Sequence, residues 1–92
     1  MPLHSKFILS PEAKADLEYW KRVPAPKTVE RIMKLIRDTI ANGYRGIGRP
    51  EALKENRYRG CWSKRIDKEH RFIFRIRNNT LEIVSCRTHY GK

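Results

Sequence analysis

The apolar residues of this 92-residue chain change their spacing partway along the sequence. Between residues 13 and 40 they recur at helical intervals, and after residue 61 they alternate at the two-residue interval of a β-strand. A chain of this length forms one domain with one modest core, so the helices and strands must share that core. The change of spacing therefore predicts a single α+β domain over residues 1–92.

The first half of the chain predicts a short strand followed by a helical hairpin. Residues 6–9 form the strand, and Ser10-Pro11 opens the first helix, because serine offers an N-cap oxygen and proline fits the first helical position. A Pro-rich turn near residue 25 leads into the second helix, expected over residues 27–41. Its apolar stripe consists of Val29, Ile32, Met33, Ile36 and Ile40. The charged residues that fall off this stripe are Arg31, Lys34, Arg37 and Asp38.

The second half of the chain predicts three strands, over residues 61–66, 71–77 and 80–88. The expected order is β-α-α-β-β-β, with the helical hairpin packed on a mainly antiparallel four-stranded sheet. In the strand over residues 71–77, one face should pack on the helices and carries Phe72, Phe74 and Ile76. The opposite face should be basic and carries Arg71, Ile73, Arg75 and Arg77.

The formal charge of +11 constrains the partner. Self-repulsion of this size works against a compact small domain, and a polyanion relieves it. Nucleic acid is favoured over an acidic protein, and both are favoured over a membrane surface. The sequence shows neither a signal segment nor a membrane-spanning run of about 20 apolar residues. We therefore expect a cytoplasmic protein in which Cys61 and Cys86 are reduced core residues.

Three residues supply the groups needed to cut RNA without a metal: Glu51, Arg71 and His89. A carboxylate can accept a proton, an imidazole can donate one, and a guanidinium can stabilise charge on phosphorus. Each also has an ordinary interpretation. Glu51 can be a solvated loop carboxylate, Arg71 a partner of Glu82 or Glu69 in an ion pair, and His89 an incidental histidine near the terminus. The role of general base also requires partial burial of Glu51.

The sequence predicts neither a metal site nor a cofactor site. It contains no C-x-x-C or H-x-x-x-H pair, and Cys86 and His89 should point to opposite faces of their strand. Two aromatic residues can stack on bases. Trp62 begins a strand and is better explained as core, which leaves Tyr90 as the stacking candidate.

Three segments, in order and at matching separations, carry a resemblance to a known family. They are Gly48-x-Pro50-Glu51-x-Leu53-Lys54, Trp62-Ser63-x-Arg65-Ile66-x-x-Glu69-His70-Arg71, and Cys86-Arg87-x-His89-Tyr90. Over residues 7–90 the chain resembles the YoeB-type toxins of the RelE superfamily of toxin–antitoxin ribonucleases. The resemblance implies the same β-α-α-β-β-β fold. Residues 1–5 form an extra N-terminal stretch relative to the usual family chain.

The resemblance implies a mechanism and assigns roles by motif. The general base is Glu51, the general acid is His89, and Arg71 stabilises the phosphorane. Contacts to the nucleotide fall on Lys54, Arg65 and Tyr90, of which the first two hold phosphates. Such toxins cleave mRNA in the ribosomal A site without a metal, and the products are a 2′,3′-cyclic phosphate and a 5′-hydroxyl.

The resemblance also implies partners. Toxins of this kind are neutralised by an antitoxin of the YefM or Phd type, whose acidic C-terminal segment folds onto the toxin, and they can dimerise. The sequence also fits two rival functions: a non-catalytic RNA- or DNA-binding module, and an interaction protein that only docks an acidic partner. A pure binder would keep its affinity without Glu51 and His89, because phosphate neutralisation carries the binding.

Overall fold

A computed structural model describes residues 7–88, in which two helices cover one face of a five-stranded sheet. The strand order is β1-β5-β4-β3-β2, with β1 parallel to β5 and the other neighbours antiparallel. The helices are α1 Pro11–Arg22 and α2 Pro26–Asn42. The strands are β1 Phe7–Leu9, β2 Glu51–Ala52, β3 Trp62–Arg65, β4 Arg71–Arg77 and β5 Thr80–Thr88. A 3-10 turn at Asn56–Tyr58 lies between β2 and β3.

The predicted α+β class, with a helical hairpin on a mainly antiparallel sheet, is confirmed. The predicted count of four strands is wrong, because Glu51 and Ala52 pair with Ser63 and Trp62 and add a fifth strand at the edge. Two residues are too few to show an alternating pattern, so the sequence carried no sign of this strand. The bounds predicted for β4 and β5 are confirmed, and β3 is one residue shorter at each end than expected.

The first helix begins as the sequence predicts. The Ser10 hydroxyl oxygen accepts a hydrogen bond from the Ala13 N–H at 3.0 Å, and Pro11 occupies the first turn. The same hydroxyl donates to the Val84 carbonyl at 2.6 Å. Ser10 therefore caps α1 and also ties its start to β5.

The main core lies between the helices and the face of β4 that carries Phe72 and Phe74, both fully buried. Trp62 is partly buried against this core, as expected. The stripe predicted for α2 is partly wrong. Met33 is exposed, whereas Leu35, which the stripe left out, is fully buried. The buried side of α2 is therefore rotated toward Leu35 and Thr39.

A buried ion pair joins β3 to the end of α2. The Lys64 side chain is fully buried, and its ammonium donates to the Asp38 carboxylate at 3.0 Å. The same nitrogen reaches the Thr39 hydroxyl at 2.9 Å and the carbonyls of Gly43 and Arg45 at 3.2 and 2.7 Å. Four oxygens thus surround the charge, as a buried ammonium requires. Asp38, which fell off the predicted stripe, is a structural residue.

The two charges stabilise each other against the cost of burial. Burial lowers the pKa of the Lys64 ammonium, and the hydrogen bond to Asp38 opposes that lowering. Burial raises the pKa of Asp38, but hydrogen bonds from Lys64 and Asn42 outweigh this and leave it below its usual value. Removing one partner would leave the other charge uncompensated.

We expect Asp38→Ala to lower the free energy of unfolding by about 3–5 kcal/mol, because the Lys64 ammonium would lose its counter-ion in a buried site. Urea denaturation followed by circular dichroism measures the change. Glu30→Ala, an exposed acidic residue on the same helix, is the matched control and should stay within about 0.5 kcal/mol of the parent. Equal stability of the two variants would contradict the structural role of the pair.

The loop after α2 has room for only a glycine at position 46. Gly46 has φ +99°, and a Cβ there would overlap the Asp38 carboxylate. Gly60 has a similar φ of +83° but has open space where its Cβ would lie. The two positions therefore share backbone strain and differ in the steric clash.

We expect Gly46→Ala to destabilise the fold by more than Gly60→Ala. The second substitution should cost about 1 kcal/mol of left-handed strain, whereas the first adds displacement of Asp38 from Lys64. Thermal unfolding of both variants by calorimetry makes the comparison. A Gly60→Ala variant that unfolds at the lower temperature would show that the clash with Asp38 does not matter.

Candidate active site

Strand register brings Glu51 and Arg71 to the same face of the sheet, opposite the helices. Glu51 pairs with Ser63, and Arg65, two residues further along β3, pairs with Arg71. Directly paired residues share a face, and so do residues two apart on one strand. From strand spacing and rise, the Cα atoms of Glu51 and Arg71 lie about 12 Å apart. Two long side chains can reach one ligand across that distance.

Glu51 is exposed at the edge of the sheet. The partial burial that a general base requires is therefore not supplied by residues 7–88 alone. Leu53, two residues further on, is buried, and its N–H donates to the Cys61 carbonyl at 2.9 Å. This hydrogen bond anchors the backbone at Leu53, between Glu51 and the exposed Lys54.

Arg71 is held by the turn that connects β3 to β4. Its Nη1 donates to the carbonyls of Asp67, Lys68 and His70 at 2.9, 3.2 and 3.1 Å. The Asp67 carboxylate in turn accepts the N–H groups of Glu69 and His70 at 2.8 and 2.7 Å. The turn therefore fixes one end of the guanidinium. Among residues 7–88, Arg71 makes no ion pair with either glutamate that the sequence suggested, and Glu82 instead pairs with Arg75 and Arg77.

Arg65 is exposed, and its backbone is held from two sides. Its N–H donates to the Gly48 carbonyl at 2.7 Å. Its carbonyl accepts from Nε and Nη2 of Arg31 at 3.3 and 2.9 Å. Helix α2 and the glycine-rich loop thus fix the end of β3, while the Arg65 side chain lies on the same face as Glu51. The sequence did not indicate this role for Arg31.

The C-terminal end of β5 is held by two residues of α1. The Asp16 carboxylate accepts the Cys86 N–H at 3.0 Å and the Ser85 hydroxyl at 3.2 Å. The Trp20 indole N–H donates to the Cys86 carbonyl at 2.9 Å. Sequence reasoning missed Asp16, because an acidic residue on an amphipathic helix is normally solvated. The predicted site residues His89 and Tyr90 lie outside the described residues.

Two further expectations concern cysteines and metals. Cys61 and Cys86 are free and buried, as predicted, and burial raises the pKa of the Cys86 thiol to about 12. Cys86 is therefore a protonated core residue near neutral pH. Over residues 7–88, no group of three or more His, Cys, Asp or Glu side chains is placed to hold a metal ion. None of the helices in that range is long and apolar enough to cross a membrane.

We expect Asp16→Ala to loosen the end of β5, because the Cys86 N–H would lose its acceptor. An unsatisfied buried donor costs about 1–3 kcal/mol. Hydrogen exchange at the Cys86 amide should become faster than in the parent. Glu18→Ala, an exposed acidic residue on the same helix, should leave that exchange rate unchanged. Slow exchange retained in Asp16→Ala would show that α1 does not hold this strand.

Comparison with known proteins gives one consistent family. The family model that matches describes a YoeB-like toxin of bacterial type II toxin–antitoxin systems, and it matches residues 9–90. Toxin YoeB of Escherichia coli K12 is 40% identical over 85 residues, covering 92% of this chain and 99% of that protein.

Solved structures agree with the sequence relatives. A YoeB/ParE toxin from Agrobacterium tumefaciens superposes with a TM-score of 0.84 at 39% identity, covering 92% of this chain and 99% of that one. The Staphylococcus aureus YoeB–YefM complex gives a TM-score of 0.81 at 38% identity, covering 92% and 98%. A YoeB dimer from the same organism gives 0.82 at 38% identity, covering 94% and 99%.

Proposed function

The chain belongs to the YoeB-like toxins of bacterial type II toxin–antitoxin systems, and from this premise we propose that it is a ribosome-dependent endoribonuclease. Its substrate is mRNA in the ribosomal A site, and cleavage inhibits translation. The observation that carries the proposal is the register that brings Glu51, Arg65 and Arg71 to one face of three adjacent strands. Within residues 7–88, Glu51 makes no ion pair, and an unneutralised carboxylate on a phosphate-binding face has a use in catalysis, whereas in a simple binder it would repel the ligand.

The proposed reaction is a transesterification within the RNA. Glu51 accepts the proton of a ribose 2′-hydroxyl, whose oxygen attacks the neighbouring phosphorus. A new bond joins O2′ to phosphorus, and the bond from phosphorus to O5′ breaks. His89 donates a proton to the departing O5′. The products are a 2′,3′-cyclic phosphate and a 5′-hydroxyl, with atoms and charge balanced and no metal involved.

Arg71 stabilises the phosphorane in this scheme. The turn carbonyls that bind its Nη1 hold one side of the guanidinium, so the planar fork enters the reaction already oriented. Preorganised donors of this kind typically contribute about 10²–10³ in rate. Lys54 and Arg65 contact the neighbouring phosphates, and Tyr90 orients the nucleotide.

The exposure of Glu51 supports a requirement for the ribosome. A carboxylate in open solvent is a weak base, and desolvation makes it a stronger one. RNA docked against this face, with the ribosomal A site around it, would exclude water from Glu51. Cleavage would then depend on a complex that buries the site.

The partner proposed for this toxin is an acidic antitoxin. The Staphylococcus aureus relative is described in a YoeB–YefM complex and as a YoeB dimer. By this analogy, the chain binds an antitoxin of the YefM or Phd type and can pair with a second copy of itself. A net charge of +11 favours an acidic, initially disordered antitoxin segment on electrostatic grounds.

We expect Glu51→Ala, Arg71→Ala and His89→Gln each to reduce mRNA cleavage by at least about 10²-fold, because each removes a group that acts in the transition state. Primer extension on an mRNA in a translation extract should show new 5′ ends at A-site codons with the parent only. Analysis of the fragment ends should identify the cyclic phosphate.

Glu55→Ala and Arg37→Ala are the matched controls, since both residues are exposed and lie outside the proposed machinery. They should cleave like the parent. Undiminished cleavage by the three site variants would overturn the mechanism. Failure of the parent to cut, with RNA affinity unchanged in Glu51→Ala and His89→Gln, would favour the non-catalytic nucleic-acid-binding module.

A further inference from the structure

A second basic site lies on the same face of the sheet as Glu51 and Arg71, toward the other end of β4. It is a cavity of about 430 Å³ between β1, β5 and the loop before β3. Four arginines contribute to its lining, and they are Arg57, Arg59, Arg75 and Arg77. Within the described range 7–88, Glu82 is the one acidic residue of this lining. None of these residues belongs to the catalytic scheme proposed above.

Glu82 organises two of the four arginines. One carboxylate oxygen accepts from Arg75 Nε at 2.6 Å, and the other accepts from Nε and Nη2 of Arg77, both at 3.2 Å. These bonds use only part of the N–H donors of each guanidinium. Hydrogen bonds from Arg75 and then Arg77 hold the pKa of Glu82 below its usual range. Glu82 is therefore a fixed anion that sets the spacing of two cations.

The remaining two arginines lie across the cavity on the loop. Arg59 donates to the neutral Asn56 side chain at 2.8 Å, and within residues 7–88 it makes no ion pair. Arg57 is largely exposed, and its contact with Glu12 at 3.5 Å is a long surface ion pair. Among residues 7–88, four arginines therefore meet two carboxylates at this cavity, Glu82 in its lining and Glu12 beside Arg57, which leaves an excess of positive charge. An anion is the ligand that such a balance favours.

A small cluster separates this cavity from the candidate active site. Ile73 is fully buried under Leu53, Tyr58 and Cys61, so the basic face predicted for β4 is not one continuous surface. Arg71 and Arg75, at the two ends of this segment, are four residues apart on one strand, a separation of about 13 Å along it. A single RNA strand of a few nucleotides can cover both sites.

We propose that this cavity, which we call the arginine cavity (Arg57, Arg59, Arg75, Arg77 and Glu82), binds a backbone phosphate of RNA at a distance from the cleaved linkage. The inference rests on the proposed ribonuclease function and extends its substrate contacts. Planar guanidinium groups bind phosphate oxygens in pairs, and arginine is preferred where that geometry matters. A volume of this size accommodates a phosphate with part of its sugar. The cavity lies on the same face of the sheet as Glu51, about 13 Å along β4 from Arg71, so one short RNA strand can reach both sites, and this favours RNA over an acidic peptide.

The test measures binding to a single-stranded RNA of about 12 nucleotides. Its riboses are 2′-O-methylated, so that cleavage cannot occur. Fluorescence anisotropy gives the dissociation constant of the full chain over a range of salt concentrations. The test variant is Arg59→Gln combined with Arg75→Gln. The control is Lys34→Gln combined with Arg37→Gln, which removes the same charge from exposed positions on α2.

Loss of one phosphate contact should raise the dissociation constant about fivefold near 0.1 M salt, because single-stranded binding changes by about 0.7 in log K per contact and per decade of salt. The slope of log K against log salt should become less steep by about 0.7. The control should change both quantities by clearly less. Arg59→Gln alone, which leaves the Glu82 contacts intact, should show part of the effect and guards against misfolding of the double variant.

Equal weakening in the test and control variants would show a general charge effect and overturn the proposal. So would unchanged binding in the test variant, or a parent chain that does not bind the probe. A peptide of alternating Asp and Glu is the competing ligand. If the test variant loses affinity for this peptide alone, the arginine cavity is a site for an acidic protein segment and the RNA proposal fails.

The outcomes also separate this inference from the proposed function. If the parent chain cuts mRNA and the cavity variants bind the probe as tightly as the parent, the ribonuclease proposal stands and the phosphate-binding proposal for the arginine cavity fails. If the parent chain binds the probe through the arginine cavity but does not cut mRNA, the ribonuclease proposal fails and the phosphate-binding proposal stands.

Discussion

The buried Lys64–Asp38 ion pair connects three parts of the structure whose relative positions determine where Glu51 lies on the open face of the sheet. Lys64 lies on β3, Asp38 lies near the end of α2, and the carbonyls of Gly43 and Arg45 belong to the loop that leads to β2. A fully buried ammonium tolerates few arrangements, because every donor needs an acceptor. The loop is therefore held in a defined path, and β2 reaches the edge of β3 at Glu51.

This constraint explains why a two-residue strand can hold a proposed catalytic residue. On its own, β2 forms few hydrogen bonds with β3 and would be expected to fray. The loop before it is fixed by Lys64, and Leu53 after it is buried in the small cluster over Ile73. Glu51 therefore lies between two anchored segments, exposed to solvent and close to the row formed by Arg65 and Arg71.

The open face of the sheet carries two separate sites in our proposal, one at each end of β4. One end carries Glu51, Arg65 and Arg71, and the other carries the arginine cavity. The cluster of Leu53, Tyr58, Cys61 and Ile73 lies between them and supplies the apolar contacts that keep the intervening loop on the sheet. Like charges repel, and this separation keeps Arg71 and Arg75 about 13 Å apart along β4. Glu82 reduces that repulsion at one end, and the turn carbonyls around Arg71 reduce it at the other.

Much of the fold followed from the sequence, because helix and strand periodicity is a local property of the backbone. The bounds of β4 and β5, the cap at Ser10 and the core face of Phe72 and Phe74 needed only neighbouring residues. The motifs around Glu51, Arg71 and His89 identified the family, since three ordered segments are specific. Only the tertiary structure decided the fifth strand, the pairing of Lys64 with Asp38, the carbonyl contacts of Arg71 and the gathering of four arginines into one cavity. The fifth strand, the ion pair and the cavity depend on residues far apart in the chain, whose meeting is set by packing and charge compensation and leaves no periodic signal in the sequence. The Arg71 contacts are local, with partners one to four residues away, but they depend on the conformation of the turn, which the sequence pattern does not give.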